Sequence, residues 1–445
     1  MKKTTTLAAL GVASLLALSA CSSGSGGGSD EAVTLDYWMW DDTQAPLYQA
    51  CATAFTEENP NITVKITQTG WAQYWQNLST QITAGTAPDV FVNQISYYQQ
   101  FVTNNQLLDL TESVEASDID FADYKEGLAE RWVTDGKRYG LPKDWDTVAM
   151  LYNVEAATAA GYTAEQLNTL TWNPEDGGTF GQLVKAMTID GAGRTGLDPN
   201  FDKTDVVRYG YYPDWGDGAT GQNGWGNFAH SAGFTYTDDK ESPTSFNFDS
   251  EELIETGAWF QKLIGDGYAP RFDEQSTLGT QAVMENQNVA STITGSWMTS
   301  TYLAEDSPVE FAFAPVPEGP EGRKAATNGL ADAVWAGTDH PEQAAQFVEH
   351  LASADCQNSV GEAGLIFPAL NSGTEAALAA RDALGYDSSA FSSVAEAGET
   401  FTLPAFNRSA EVNTAIQDAM QAVAQGADPA KRLKEANDTV EALFK

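Results

Sequence analysis

Alternating and helical hydrophobic patterns follow one another along the first hundred residues of the chain. Residues 33–38 alternate as in a strand, and residues 47–55 place apolar side chains on one face of a helix. Residues 62–66 alternate again, residues 74–84 have a helical pattern, and residues 89–92 form a short apolar run typical of a parallel sheet. This β-α-β-α-β order predicts an α/β fold with a doubly wound sheet flanked by helices.

The rest of the chain continues with elements of both kinds. In chain order, the pattern predicts a helix at 253–264, strands at 289–293, 311–313 and 333–336, and a helix at 342–351. The last helix is expected to begin at Asp428 and Pro429, because an N-cap carboxylate followed by proline is a common helix start. Residues 190–250 are rich in Gly, Asp, Asn and aromatic residues, so they are expected to form loops.

The N-terminal twenty residues have the pattern of an export signal. Two lysines precede an apolar stretch from Leu7 to Ala20, which is too short to span a membrane as a stable helix. Leu18-Ser19-Ala20-Cys21 resembles the bacterial lipobox, in which the cysteine is lipidated and becomes the first mature residue. An ordinary signal peptide with an incidental cysteine is the alternative.

The residues after this signal are small and polar. We therefore expect a signal peptide at 1–20 and a lipidated flexible tether at 21–32, with Cys21 carrying the lipid. Such a protein would be held by its lipid at the extracellular face of the cytoplasmic membrane. No other apolar stretch approaches the length needed to span a bilayer.

Composition narrows the possible partners. The chain has 445 residues, of which 62 are acidic and 23 basic, giving a formal net charge of −39. Removal of residues 1–20 would take away two lysines and no acid, so the mature chain would carry −41. With 42% apolar and 11% aromatic residues the chain can form a large core. The acidic charge argues against nucleic acid and against adsorption to an anionic bilayer by charge alone.

Cysteine and histidine offer little chemistry. Cys51 and Cys356 could pair in an oxidising compartment, but one pair is not a disulfide framework, so buried free thiols are expected. The three histidines form no zinc motif. Residues 198–205 lack the glycine of a calcium loop, and no glutamate follows at its twelfth position. We expect no metal and no cofactor.

Several short motifs stand in one order along residues 33–360. They are Trp38-Met39-Trp40-Asp41, Ala84-Gly85-Thr86-Ala87-Pro88-Asp89-Val90, Tyr139-Gly140-Leu141-Pro142, Leu151-Tyr152-Asn153, Val283-Met284, Gly295-Ser296-Trp297, Phe313-Ala314-Pro315-Val316-Pro317, Asn328-Gly329 and Ala344 to Leu351. In this combination the chain resembles the carbohydrate-type extracellular solute-binding lipoproteins of ABC importers, the maltose-binding-like family.

This resemblance implies a two-lobed periplasmic-binding-protein fold of type II, with ligand in the cleft between the lobes. The first lobe would comprise residues 33–143 and 313–338, and the second lobe residues 144–312 and 339–445. The chain would cross between lobes near 142–147, 309–315 and 338–341.

Sugar chemistry suggests which residues would line this cleft. A sugar presents hydroxyls at its edge and C–H groups on its faces, which suit carboxylates or amides and aromatic rings respectively. The residues implied by the family's geometry and by this pairing of types are Trp40, Asp41, Asn93, Gln94, Asp144, Trp145, Tyr212, Asp214, Trp215, Trp225, Trp297, Asp332 and Phe367.

Each candidate also has a structural alternative. Asn93 and Gln94 could cap the following helix, and Asp42 could cap the helix after the first strand. The run from Tyr211 to Asp217 could be a self-packed loop with Trp215 as its plug. Asp332 and Phe367 could instead have core or turn roles.

The sequence therefore predicts a monomeric extracellular receptor without catalytic activity. It would capture a neutral oligosaccharide of more than one ring and deliver it to the permease subunits of an ABC importer. An extracellular glycoside hydrolase is the alternative, since two carboxylates roughly 5–10 Å apart around the scissile bond would suffice. A solute-binding protein for a non-sugar ligand is another, although few basic residues stand in the proposed cleft loops.

Overall fold

The computed structural model describes residues 32–238, 245–275 and 279–445. The predicted signal peptide, Cys21 and nearly all of the predicted tether lie outside the described residues. Within these three ranges, no helix combines the length and the apolar character needed to cross a bilayer.

The first third of the chain forms an α/β unit. Strands β1 and β2 pair in parallel, and so do β1 and β3, which confirms the predicted β-α-β-α-β order. Helix α1 buries Tyr48, Cys51 and Phe55, three or four residues apart on one face. The elements are β1 (Val33–Met39), α1 (Ala45–Glu58), β2 (Ile62–Gln68), α2 (Trp71–Ala84), β3 (Val90–Gln94), α3 (Ile95–Thr103), α4 (Thr111–Ala116), β4 (Val133–Thr134) and β5 (Lys137–Arg138), with 3-10 turns at Phe121–Asp123 and Glu130–Trp132.

The middle of the chain begins with one long strand. Strand β6 is buried along its whole length, although it contains Lys143, Asp144 and Asp146. The elements are β6 (Leu141–Asn153), α5 (Val154–Ala159), α6 (Ala164–Leu167), α7 (Gly178–Met187), β7 (Ile189–Asp190), β8 (Val206–Arg208), α8 (Trp225–Ser231), α9 (Glu251–Gly265), α10 (Phe272–Gln275), α11 (Gly279–Glu285), β9 (Ser291–Gly295), a 3-10 turn at Ser296–Met298, and α12 (Thr299–Tyr302). The region 190–250 thus contains β8 and α8 in addition to the predicted loops.

The last third returns to the sheet and ends in helices. Strand β13 starts well before the predicted strand at 333–336, and the last helix begins at Pro429 with Asp428 as its N-cap, as predicted. The elements are β10 (Phe311–Ala314), β11 (Glu318–Gly319), β12 (Gly322–Arg323), β13 (Ala325–Val334), α13 (Pro341–Ala352), α14 (Ala354–Gly361), β14 (Phe367–Pro368), α15 (Asn371–Ala383), α16 (Ser389–Glu396), β15 (Thr400–Thr402), α17 (Ser409–Ala424) and α18 (Pro429–Leu443).

One large sheet runs through the described chain in the order β10-β6-β13-β3-β1-β2. Strand β6 connects its two halves. Residues 141–147 pair with β13, whereas 148–152 pair with β9 and 150–153 pair with β10. The first predicted crossing, at 142–147, lies inside this strand.

A disulfide joins two helices that are far apart in the sequence. Cys51 of α1 and Cys356 of α14 are bonded, so the expectation of free thiols was wrong. Helices α13 and α14 pack with α1 and the first strands in one core cluster. Residues 341–361 therefore pack with α1 and strands β1 to β3, whereas the predicted division groups residues 339–445 with residues 144–312. The reason is that α13 continues directly from β13, whose last residues pair with β3.

Candidate ligand-binding site

An aromatic cluster stands at the carboxyl ends of the three parallel strands. Because parallel strands end at the same edge of a sheet, the residues that follow β1, β2 and β3 lie close together. The Trp40 ring centroid lies 5.1 Å from that of Trp71, 5.0 Å from that of Tyr74 and 5.5 Å from that of Trp75. Trp75 stacks on Tyr97 at 3.8 Å. These five residues, which we call the edge cluster, place an aromatic surface where open α/β sheets bind ligands.

One member of the edge cluster faces outward. Trp71 is 46% exposed, whereas Trp75 and Tyr74 are buried. The Tyr74 hydroxyl donates hydrogen bonds to the carbonyl oxygens of Trp38 and Val92, which fixes α2 against β1 and β3. Trp71 was not among the predicted site residues.

Asp41 is held by local hydrogen bonds. Its Oδ1 accepts from the backbone N–H groups of Thr43 at 2.9 Å and Gln44 at 3.1 Å, and its Oδ2 accepts from Gln44 Nε2 at 2.7 Å. Asp41 therefore shapes the turn into α1, a capping role that the sequence had suggested for Asp42. The same contacts fix the side chain of Gln44, which reaches into the centre of the site.

Lys143, which was not among the predicted site residues, lies at that centre. Its Nζ is 3.5 Å from Gln44 Oε1, 3.9 Å from Asp144 Oδ2 and 3.0 Å from the ring centroid of Tyr48. Burial lowers the pKa of Lys143, and the nearby charges of Asp144, Asp332 and Asp41 oppose this effect. The charges of three predicted acids thus act on a single buried ammonium, which forms an ion pair with Asp144.

The two buried acids differ in how they are satisfied. The Tyr37 hydroxyl donates to Asp332 Oδ1 at 2.6 Å. Asp144 Oδ2 has no hydrogen-bond partner in the described part of the chain. Burial raises the pKa of Asp144 to about 7 and that of Asp332 to about 6, while Lys143 lowers both. Asp144 is therefore the carboxyl group that can still pair with a hydroxyl of a ligand.

Alternation along β6 separates two predicted neighbours. Asp144 and Asp146 point to one face of the sheet, and Trp145 points to the other. Trp145 is 5% exposed, stacks on Phe367 at 5.0 Å, and donates from Nε1 to Thr374 Oγ1 at 3.0 Å. Phe367 is fully buried. Its ring packs against Trp145, which is the core role that was given as its structural alternative.

Trp297 is positioned by a buried arginine. Arg381 donates to the carbonyl oxygens of Ser296, Gly364 and Leu365 at 2.7–2.9 Å, and its guanidinium lies over the Phe367 ring. These bonds hold the turn on which Trp297 stands. Trp297 is half-buried and packs against two of the core clusters.

The loop from 212 to 225 packs mainly on itself and on helices. Tyr212, Trp215 and Trp225 are each less than a tenth exposed. Trp215 meets Phe260 with ring centroids 5.6 Å apart, and Trp225 meets Phe234 at 5.7 Å. This agrees with the alternative of a self-packed loop, although Trp215 Nε1 has no hydrogen-bond partner within the described residues.

Two buried carboxyl groups of this loop, those of Asp214 and Asp217, interact through their charges. Asp214 accepts a hydrogen bond from the Gly216 N–H at 2.7 Å. Burial raises the pKa of Asp214, and burial together with the Asp214 charge raises the pKa of Asp217 to about 8. The buried carboxyl groups of Asp214 and Asp217 therefore oppose each other's ionisation.

A hydrogen bond ties this loop to β6. Gln222 Nε2 donates to Asp146 Oδ1 at 2.9 Å, and Asn227 Nδ2 donates to the Gln222 carbonyl at 2.8 Å. Asn227 Oδ1 in turn accepts from the Ala326 N–H of β13. Asn328 stands opposite Asp146 on β13, and its Oδ1 has no partner in the ranges that the structure describes. Asp146, Gln222 and Asn328 were not predicted as site residues.

Asn93 and Gln94 end strand β3 and are buried. Asn93 Oδ1 accepts from the Gln94 N–H at 2.9 Å, and Gln94 Oε1 accepts from Ser96 Oγ at 2.6 Å. Neither bond caps α3, because Gln94 at its N-cap makes no side-chain capping hydrogen bond within the described residues. Asn93 Nδ2, however, donates to no atom of the described chain, so it remains able to serve a ligand.

Comparison with known proteins identifies relatives over most of the chain. Residues 50–384 match the family described as bacterial extracellular solute-binding protein. The maltodextrin-binding protein MdxE of Bacillus subtilis is 25% identical over 346 residues, covering 76% of this chain and 74% of the relative. The galactooligosaccharide-binding protein of the same species is 22% identical over 418 residues, covering 92% and 89%.

Solved structures share the fold. The ABC substrate-binding protein Lmo0181 of Listeria monocytogenes, in complex with cycloalternan, has a TM-score of 0.79 and 18% identity, covering 93% of this chain and 99% of that one. The GacH receptor of Streptomyces glaucescens has a TM-score of 0.75 and 20% identity, covering 93% and 98%. These matches confirm the predicted fold class.

Proposed function

Because this chain belongs to the bacterial extracellular solute-binding protein family, we propose that it captures a neutral oligosaccharide and delivers it to the permease subunits of an ABC importer. The edge cluster is the observation that carries this proposal. Trp71 is the most exposed of the large apolar side chains in this cluster, and it stands where the parallel strands end. A large aromatic surface held open to solvent at that edge suits the C–H face of a sugar ring.

Polar groups beside the edge cluster suit the hydroxyls of the same sugar. Trp40 leads directly into Asp41, whose hydrogen bonds orient Gln44 next to Lys143 and Asp144. Asp144 Oδ2, Asn93 Nδ2 and Asn328 Oδ1 are buried and lack hydrogen-bond partners among the described residues, although Asp144 Oδ2 forms an ion pair with Lys143. Because unsatisfied buried polar atoms are costly, we expect these three to be hydrogen-bonded by ligand hydroxyls.

Relatives with sugar names support the ligand class. The two Bacillus subtilis relatives are named for maltodextrin and for galactooligosaccharide, and one structural neighbour was solved with mannotriose. We infer a neutral ligand of at least two rings, since the half-buried Trp297 offers an indole for stacking in addition to Trp71. Asp41, Trp145, Phe367 and the loop residues Tyr212, Asp214, Trp215 and Trp225 would then support the site from behind.

We further propose that the protein acts as a monomer, without catalysis, outside the cytoplasmic membrane. Its family is one of extracellular binding proteins. Attachment through a lipid on Cys21 would keep it beside the importer, and the predicted tether would give it reach. Radiolabelled palmitate incorporation, lost in a Cys21→Ser variant, would test the anchor.

A calorimetric screen tests the proposed ligand class. Maltotriose, mannotriose, galactobiose, lactose and an acidic oligosaccharide would be titrated into the mature protein, and each mixture would then be analysed by chromatography. We expect saturable binding of at least one neutral oligosaccharide with no new products. Binding of acidic sugars alone would contradict the neutral-ligand proposal, and product release would support a glycoside hydrolase.

A further inference from the structure

A cavity lies at the C-terminal end of strand β6. It has a volume of about 520 Å³ and is bounded by the edge strand β10, the end of α12 and the turn after α15. Tyr152, which lines it, is eight residues from Asp144 along β6. At about 3.3 Å per residue, this places the cavity roughly 26 Å from the site described above. A volume of this size is sufficient for a small organic ligand.

The floor of this cavity is a pair of residues on neighbouring strands. Ala312 of β10 stands directly opposite Tyr152 of β6, so the two side chains share one face of the sheet. The small alanine leaves room in front of the tyrosine. Tyr152 is only 6% exposed, and its hydroxyl makes no hydrogen bond within the described chain although it borders the cavity.

Negative charge surrounds the opening. Glu305, Glu310 and Asp387 line the cavity, and none of its lining residues in the described chain is Lys, Arg or His. Glu305 and Glu310 make no ion pair in that part of the chain, while Asp387 accepts a hydrogen bond from the Ser389 N–H at 2.8 Å. Burial raises the pKa of Tyr152, and the charges of Asp387 and Glu310 raise it further, which places both carboxylates within electrostatic reach of the hydroxyl.

We propose that this cavity is a second binding site, for a small organic ammonium ion. Carboxylates at the opening would attract the cation, and the tyrosine rings of Tyr152 and Tyr386 would contact its alkyl groups. A metal ion fits less well, because the described residues contain no group of three or more His, Cys, Asp or Glu side chains placed to hold one. A neutral sugar carries no positive charge, so it would gain no ionic attraction from three carboxylates that have no cationic side chain beside them in the described cavity lining.

Choline and its neutral isostere 3,3-dimethylbutan-1-ol test this proposal. The two probes have nearly the same shape and differ in charge, so calorimetry of the mature protein separates attraction by charge from simple filling of the cavity. We expect choline to bind about tenfold more tightly than the isostere, and its affinity to fall when salt is added, because the carboxylates are exposed.

Two substitutions place the binding in this cavity. Ala312→Phe would fill the space in front of Tyr152 and should abolish choline binding, while Glu310→Gln should weaken it about threefold. Glu57→Gln, an exposed acid on α1, is the matched control and should change nothing. Oligosaccharide binding should be unaltered in all three variants, so this proposal and the proposed function can fail separately.

Three results would overturn the proposal. They are the absence of choline binding to the wild-type protein, equal affinity for choline and the isostere, and unchanged choline affinity in both Ala312→Phe and Glu310→Gln. Because Glu310 is exposed, Glu310→Gln remains informative if Ala312→Phe fails to fold.

Discussion

Replacement of Trp71 by alanine is the substitution that bears most directly on the edge cluster. Trp71 touches Trp40 and Trp75 through edge contacts at 5.1 and 5.6 Å, but 46% of the residue is exposed. Its removal should therefore leave the core nearly intact. If the exposed indole stacks on a sugar ring, the loss should appear in ligand affinity instead of in stability.

The size of this loss follows from the exposed area. A tryptophan side chain offers about 150–250 Å² for burial, so its exposed part presents roughly 100 Å² to a ligand. At about 25 cal/mol per Å², covering half of that area contributes about 1.3 kcal/mol. Trp71→Ala should accordingly weaken oligosaccharide binding about tenfold.

Calorimetric titration with the tightest-binding oligosaccharide provides the assay. Phe444→Ala is the matched control, because Phe444 is an aromatic residue of similar exposure, 42%, near the C-terminus. The control should bind as the wild type does, and thermal unfolding should show that both variants are folded. Unchanged affinity in Trp71→Ala, or an equal loss in Phe444→Ala, would refute the assignment of the edge cluster as the sugar surface.

Three further predictions concern stability and the polar centre of the site. Reduction of the Cys51–Cys356 disulfide, which joins residues 305 apart, should lower the free energy of unfolding by about 4 kcal/mol and the melting temperature by about 5 °C. Scanning calorimetry, with a thiol assay to show that both cysteines are reduced, measures this change. An unchanged melting temperature with both thiols free would contradict the prediction. The pKa of Asp144 is raised to about 7, so the stability that this shift contributes is complete below about pH 4 and is lost as the pH rises through 7. The melting temperature of Asp144→Asn minus that of the wild type should therefore increase from pH 4 to pH 8. A difference that stays constant over this range would contradict the raised pKa. Urea unfolding of Asp146→Ala, Gln222→Ala and the double variant should give a coupling of about 1 kcal/mol, whereas additive effects would show that their hydrogen bond contributes nothing.

Local patterns in the sequence were sufficient for the first part of the fold. The strands at 33–39 and 62–68 alternate cleanly, and the helix between them has a clear apolar face, so their order and pairing could be predicted. The start of the last helix was also predictable, because Asp428 caps it through its own side chain. These features depend only on residues close together in the chain.

Strand β6 shows what a local pattern cannot reveal. Lys143, Asp144 and Asp146 interrupt its hydrophobic character, yet all three are buried. Lys143 is hydrogen-bonded to Gln44 and Asp146 to Gln222, which lie 99 and 76 residues away along the chain. Periodicity has no information about such partners, so this segment was predicted as a crossing near the cleft and its full length as a strand was missed.

The candidate site could be predicted only in part, again because local patterns do not reveal contacts between distant residues. The sequence pointed to Trp40, Asp144 and Asp332, which the structure places around the end of the parallel strands. It did not point to Trp71 or Lys143, because a tryptophan at a helix start and a lysine in a polar run are not distinctive. Their importance depends on the strands and helices that surround them. The Cys51–Cys356 pair was weighed but not expected, because one pair is not a disulfide framework and no local pattern brings together two cysteines that stand 305 residues apart.

Equilibrium dialysis with chemical recovery of the ligand tests the central claim most directly. The mature protein would be dialysed against a mixture of neutral oligosaccharides, denatured, and the released sugar identified by mass spectrometry and chromatography. The proposed function predicts one intact oligosaccharide per chain, reduced in the Trp71→Ala variant. Recovery of no sugar, or of cleaved sugar only, would contradict it.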